Sequence, residues 1–235
     1  MQVKTVLVLA NSFRRGGRCI AGRELLATAG SRFGGWVRPI SNQGEGELLL
    51  RHIRLGGGPP LRPLDVVRVP LTVPGSDPAH PEDWLVADEP WTRESPCSGA
   101  VMSSLIEHPT SLWHDPHRRS DRVSPALVAS LPDHQSLYLV RPSNLRFRAW
   151  REFDAARQRE RQRYRAIFDY GGIEYDLSLT DPVATDRFVP RLPSVGEPPQ
   201  DFPCPLGERA LLCVSLTPLF HGLHYKVVAT VLETP

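Results

Sequence analysis

Apolar positions in this chain fall in short β-branched runs separated by glycine and proline, with few stretches at the three-to-four spacing of a long helix. The first run, residues 3–10 (VKTVLVLA), stops at the turn-forming pair Asn11-Ser12 and predicts a strand. Residues 11–23 then predict a loop, and 21–29 (AGRELLATA) a two-turn helix ended by Gly30. Gly34-Gly35 opens the extended segment 36–41, and LLLRHIRL and PLDVVRVPL predict further strands. Short strands with at most one helix suit a small barrel over residues 1–80.

From residue 74 to 90 the chain turns acidic and proline-rich (PGSDPAHPEDWLVADEP). With short helices expected over 98–113 and 124–131, residues 81–135 read as a Pro-rich, partly helical linker. A second β-rich part, residues 136–235, starts with LYLVRP and LRFRAW. The charged stretch REFDAARQRERQR follows, and its acid–arginine pairs at i,i+3 and i,i+4 predict a self-paired helix. RYRAIFDY and IEYDLSLTD flank Gly171-Gly172, which predicts a hairpin turn, and ALLCVSL and HYKVVATVLE supply the last strands. The piece Val37-Arg38-Pro39-Ile40-Ser41 is echoed by Val140-Arg141-Pro142-Ser143, a hint of two related barrels.

Composition changes this picture in a few places. Hydrophobic residues are 40 % of 235, enough to bury a core, and the 24 prolines are spread along the chain, which favours short segments. Net charge is only +2, but of 28 basic residues only Lys4 and Lys226 are lysine. Nearly all positive charge is therefore guanidinium, the group suited to bidentate phosphate contacts and stacking. A GC-rich coding sequence would raise arginine, alanine, glycine and proline together, so clustering carries more than number. Four cysteines without a C-x-x-C pair exclude a zinc ribbon and a thioredoxin motif and fit reduced thiols. No cleavage-type leader and no run of 18 apolar residues is present, so the expectation is a cytoplasmic protein without a membrane partner.

The densest candidate chemistry lies after the first strand. Arg14, Arg15, Arg18 and Arg23 surround Gly16 and Gly17, where glycine backbone can approach an anion while arginines fork onto its oxygens. GxGxxG is absent, which argues against a dinucleotide fold. Aromatic residues beside arginine or lysine (Trp36 with Arg38, Phe147 with Arg146 and Arg148, Trp150 with Arg151, Tyr164 with Arg163 and Arg165, Tyr225 with Lys226) could stack bases and hold phosphates. Strand neighbours point to opposite faces, so each such pair can place only one member on a given surface. Nine arginines between 141 and 165 form the second candidate track for phosphates. His108, His114, His117 and Asp115 lack metal-ligand spacing. Cys19, with His52, His221 or His224, and Glu45, Glu47, Asp65 or Asp181, are what an enzyme would draw on, but neither a Ser-His-Asp order nor a P-loop is present. No catalytic residue, metal or cofactor is assigned.

Several segments together resemble a bacterial family, the dual OB-containing domain: the NSFRRGGRCIAG loop, GWVRPIS with the following GEGEL, the RYRAIFDYGGIEYDLSLTDP hairpin, and CVSLTPLFHGLHYKVVATVLE. The resemblance covers nearly the whole chain. It implies two OB-like barrels and, by analogy with other OB folds, nucleic-acid or nucleotide binding in a bacterial, antiviral-defence setting.

The expectation is thus a mainly β protein, two small OB-like β-barrels joined by a Pro-rich, partly helical linker. Its partner would be single-stranded nucleic acid or a nucleotide-like anion, bound by Arg14, Arg15, Gly16, Gly17, Arg18, Arg23, Trp36, Arg38, Tyr225 and Lys226. A protein-interaction module and a hydrolase or nucleotide-processing enzyme centred on the Arg14 to Arg23 loop are the alternatives.

Overall fold

The structure, a computed structural model, describes residues 1–14, 16–26, 32–53, 55, 58–131, 134–189 and 191–235, without the Arg14 side chain. The chain divides into two compact units: residues 1–105 with 129–137 and 235, and residues 106–128 with 138–234. Among the described residues no helix is long and apolar enough to cross a membrane.

The first unit holds β1 (Gln2–Arg14), β2 (Gly17–Leu25), β3 (Phe33–Ile40), a helical turn α1 (Leu50–Ile53), β4 (Val66–Pro74), β5 (Asp83–Val86) and the two-residue β6 (Thr92–Arg93). The order β1-β2-β3-β5-β4, with β4 pairing back onto β1, closes a five-strand barrel. All these pairings are antiparallel except β3 with β5. Alternate residues point inward. Val6 and Val8 of β1, Ile20, Val37, and Val67, Val69 and Leu71 of β4 form the core, with Ile53 and Leu61 packed in. Residues 83–86 and 92–93, within the stretch read as linker, supply strands to this barrel. Without β5 the facing edges of β3 and β4 would lack backbone partners, which a closed barrel does not tolerate.

The loop expected over 11–23 and the helix expected over 21–29 are replaced by a β-hairpin, in the register Asn11↔Ile20, Ser12↔Cys19, Phe13↔Arg18 and Arg14↔Gly17. Residues 27–31 lie outside the described residues. Helix propensity distinguishes ordinary residues by only a few tenths of a kcal/mol each. The strand offers more: β2 is laddered to β1 on one side and β3 on the other, with Ile20 and Ala21 buried and Lys4 paired to Glu24 at 2.6 Å.

The second unit contributes β7 (Arg122–Val123), and the chain continues through α2 (Pro125–Ser130) and β8 (Leu137–Val140). There follow β9 (Ser143–Asp154), β10 (Arg159–Tyr170), β11 (Ile173–Leu179), α3 (Pro182–Phe188), β12 (Gln200–Pro203), β13 (Ala210–Leu216) and β14 (His224–Glu233). The sheet order is β12-β9-β10-β11-β14-β13-β8, with β7 against β14. Taking β9, β10, β11, β13 and β14 as first to fifth strands, the path of the first barrel recurs: order first-second-third-fifth-fourth, third and fifth parallel, helix between third and fourth. The sequence echo does not mark this repeat. Val37 to Ile40 lies in β3, a third strand, whereas Val140 to Ser143 lies where β8 ends and β9 begins.

Gly171 and Gly172 make the expected hairpin turn, both at positive φ (57° and 77°). Asp181 caps α3 by accepting from Val183 N and Ala184 N, and its other oxygen accepts from Val231 N, so one carboxylate ties the helix to β14. Inside the sheet, Phe147 stacks on Phe188 (5.3 Å) and Phe168 on Tyr175 (5.6 Å), over buried Ala149, Ala166 and Leu177.

The helix expected for REFDAARQRERQR is overturned as well. These residues end β9 and begin β10 around a turn at 155–158. Asp154 does bond Arg157 (2.9 Å), but within that turn. The other pairs run across strands: Glu152 to Arg163 at 2.7 Å and Arg151 to Glu160 at 3.7 Å. Acid and arginine alternate with period two here, and that period is the strand signal.

Candidate functional site

In the first unit, Arg15 and the Arg14 side chain lie outside the described residues. Gly16 occupies the turn at φ 88°, a left-handed conformation that glycine adopts without strain. Gly17 allows a close approach: Arg18 and Leu48 exchange two backbone hydrogen bonds of 2.8 Å beside it, and a Cβ on Gly17 would sit 2.8 Å from the Leu48 carbonyl. These glycines thus shape the hairpin. Arg18 stacks on Phe13 (4.1 Å to the ring centre), while Arg23 donates to the Gly34 carbonyl (2.8 Å) and lies over the buried Trp36 ring at 5.8 Å.

Arg38 is 2 % exposed and donates to Asp83 at 2.5 Å, with Cys19 and Glu82 close enough to act on its charge. Burial opposes the guanidinium charge, but Asp83, Cys19 and Glu82 together hold its pKa above the ordinary value. Glu82 is itself buried and accepts from Ser136 N and Oγ at 2.8 and 2.9 Å. His80, fully buried with Nδ1 2.8 Å from Asp77, is pushed down to about 4 by burial and by the Arg38 charge. Between pH 6.5 and 4 the unfolded chain takes up a proton that folded His80 refuses. Stability is therefore full above that window and falls by about 3 kcal/mol as pH drops through it. Thermal unfolding followed from pH 7 to 4 should show this loss in the wild type and not in His80→Gln; a wild-type Tm that is flat down to pH 4.5 would refute it.

In the second unit, Phe147, Ala149, Ala166 and Leu177 face inward, and alternation sends their strand neighbours outward. The outer side of β9, β10 and β11 carries Arg146, Arg148, Trp150, Arg163, Arg165, Asp176 and Ser178, directly opposed in register at Arg163↔Trp150, Arg165↔Arg148 and Arg165↔Ser178. Residues 119–122 lie beside it and complete a groove of about 670 Å³ lined by Arg119, Arg122, Trp150, Arg163 and Arg165, with Asp121, Glu152 and Asp176 between them. The arginines are held in place by carboxylates. Arg163 pairs with Glu152 (2.7 Å), Arg165 with Asp176 (2.7 Å) and Asp121 (3.1 Å), and Arg148 forks onto Asp201 (2.6 and 2.8 Å). These bonds hold the Glu152 and Asp201 carboxyls below their ordinary range, against the opposing effect of burial. Exposed Arg119 has no ion pair among the described residues.

Tyr225 belongs to this surface through Arg122, whose guanidinium lies 5.6 Å from the Tyr225 ring centre. Its neighbour Lys226 faces the other way. Lys226 is 1 % exposed, its Nζ has no hydrogen-bond partner among the described residues, and it lies 5.4 Å from the Tyr175 ring. Of the residues that sequence nominated, Arg14 to Arg38 thus belong to the first unit, with Trp36 and Arg38 buried, and only Tyr225 reaches the groove side of the second. Arg163, Arg165 and Trp150 belong to the nine-arginine segment; Arg119 and Arg122 lie outside it, in a Pro-broken stretch that gives no periodicity to read.

Several residues weighed for catalysis bond neighbouring backbone. The Glu47 carboxylate accepts from Glu45 N, Asp65 accepts from Arg62 N, His52 Nδ1 accepts from Leu49 N, and His224 Nδ1 bonds the Thr217 carbonyl. Asp115 accepts from His117 N and Ser124 N. Among the described residues no group of three His, Cys, Asp or Glu could hold a metal.

A family model described as the dual OB-containing domain matches residues 4–231. Neither a curated protein nor a solved structure matches the chain.

Proposed function

The chain belongs to the dual OB-containing domain family, and from that premise we propose that it is a nucleic-acid-binding module whose second unit holds a single strand along the outer face of β9, β10 and β11. OB folds present this kind of surface, strands two and three with the first and last hairpin loops, to oligonucleotides. The observation that carries the reading is the groove in which Arg119, Arg122, Arg163 and Arg165 surround Trp150, with Arg122 stacked on Tyr225. Guanidinium forks there can meet phosphates while the indole and phenol supply stacking.

The carboxylates between the arginines set a condition. A phosphate reaching Arg165 must displace Asp121 and Asp176, so the face discriminates against weakly charged ligands and holds a polyanion that offers several phosphates at once. In the first unit, taken by itself, Arg18 beside Phe13 is a separate candidate phosphate contact.

The test is fluorescence anisotropy of a labelled single-stranded oligonucleotide against the full chain at several salt concentrations. Affinity should fall steeply with salt, and Arg163→Ala and Arg165→Ala should each lower it about tenfold and reduce the logarithmic salt slope by roughly 0.7. No binding at low salt, or binding indifferent to salt, would remove this reading in favour of a protein-interaction module.

A further inference from the structure

Glu152 is out of place in a track for phosphates. It lines the groove together with Trp150 and Arg163, where its carboxylate repels every phosphate that enters. Nor does folding require it: the Glu152 and Arg163 side chains are 38 % and 37 % exposed, and an ion pair so open to water contributes little to stability. What the carboxylate does have is a fixed place. Trp150 and Glu152 share one face of β9, and Arg163 stands opposite Trp150 on β10. One Glu152 oxygen accepts from Arg163 Nε at 2.7 Å and the other from Trp150 Nε1 at 3.3 Å, so indole, carboxylate and guanidinium form one connected group.

That group still has hydrogen-bonding capacity. Each carboxylate oxygen has two lone pairs and spends one here, and the Nη hydrogens of Arg163 donate to no protein group among the described residues. From Glu152 to Arg163 the pair therefore presents two acceptors and then two donors. The edges of an unpaired guanine have the complementary order: N2–H and N1–H donate, O6 and N7 accept. Adenine and thymine alternate acceptor, donor and acceptor, which leaves each fork half matched. Cytosine, with two acceptors and one donor, can make three of the four contacts. The flat indole beside the pair supplies the stack that an unpaired base needs.

The geometry points to a guanine-selective site, in which Trp150 stacks an unpaired guanine whose N1–H and N2–H donate to Glu152 and whose O6 and N7 accept from Arg163. This rests on the nucleic-acid reading above and adds a base preference to it. Arg163 has N–H groups enough for the base and a phosphate oxygen, and Arg119, Arg122 and Arg165 remain for the rest of the backbone.

The experiment uses the full chain and fluorescein-labelled deoxythymidine oligomers of about 12 nucleotides, in which every third base is guanine, hypoxanthine, 7-deazaguanine or adenine. Hypoxanthine lacks the N2 amino group and 7-deazaguanine lacks the N7 acceptor, while the phosphate charge is the same in all four. Wild type should bind the guanine oligomer about tenfold more tightly than the adenine one, with the two analogues between them. Glu152→Gln should lose most of the distinction between guanine and hypoxanthine, whatever removal of a negative charge does to affinity as a whole. Arg163→Lys, which keeps the charge and loses the fork, should bind guanine and 7-deazaguanine alike with the salt slope unchanged. Equal wild-type affinity for all four oligomers, still falling steeply with salt, would overturn the guanine site and leave the interface intact, as would a guanine preference that both variants keep in full. A wild type that binds none of the four at low salt would remove both readings.

Discussion

Gly22→Ala is expected to unfold the first barrel. Gly22 sits in β2 where β1 crosses it at a register shift between Val8 and Ala10. A Cβ there would overlap the Leu7 carbonyl oxygen and come within 2.8 Å of Val6 Cγ1. The obstacle is backbone on a strand paired on both sides, so no side-chain rotation relieves it, and β1 and β2 must part. Since this hairpin carries Val6, Val8 and Ile20 into the core, the cost should exceed about 4 kcal/mol, comparable to the whole stability of many domains. Amide exchange should show protection lost across residues 1–105. Gly35→Ala is the control: nothing lies within 4 Å of its added Cβ and its φ is not positive, so its stability should match the wild type or rise slightly. A Gly22→Ala protein that keeps wild-type exchange protection would refute the close-approach account.

Lys226→Met is expected to stabilise the second unit at neutral pH, although it removes a charge that sequence nominated for binding. Burial pushes the Lys226 ammonium down to about 8, against the opposing attraction of Asp115 and Asp121. Below pH 8 the folded and unfolded chains are both protonated, and folding carries the full cost of burying the ion. Between pH 8 and the ordinary 10.5 the folded chain has released the proton that the unfolded chain keeps, so stability rises with pH through that window, by about 3 kcal/mol in total. Methionine fills similar space without charge and should keep that gain at pH 7. The two carboxylates remain bonded, Asp115 to backbone N–H groups and Asp121 to Arg165. Buried Tyr175, whose phenol burial pushes up, works in the opposite direction at higher pH by resisting ionisation when folded. The comparison therefore belongs between pH 7 and 9.5. Denaturant melts should show a rising midpoint in the wild type and a flat, higher one in Lys226→Met; parallel curves would mean that the ammonium is solvated. Unchanged oligonucleotide affinity in the same variant would agree with its place in the core.

The charged ribbon of β9 and β10 shows what could and could not be read without coordinates. Arginine and acid residues spaced three and four apart satisfy a helix rule, yet the same residues alternate, and alternation prevailed because Phe147, Ala149, Ala166 and Phe168 on the continuing strands have a core to fill. Residues 21–25 went the same way, since a strand held by two neighbours outweighs the small helix preference of Arg-Glu-Leu-Leu. Gly171-Gly172, by contrast, was legible because a two-residue turn is decided locally by which residues accept positive φ.

Sequence by itself determined that this is a mainly β chain of short strands, that its charge is guanidinium, and that nearly its whole length carries one family's pattern, since composition, alternation and turn chemistry are local properties. Tertiary structure alone decided which arginines share a surface. Burial separated Tyr225 from Lys226 by one residue and one face, took Arg38 into an ion pair with Asp83, and set Trp150 among Arg119, Arg122, Arg163 and Arg165. The reason is physical. A strand fixes only that neighbours point apart, and which side meets water depends on pairings with residues far away in the chain.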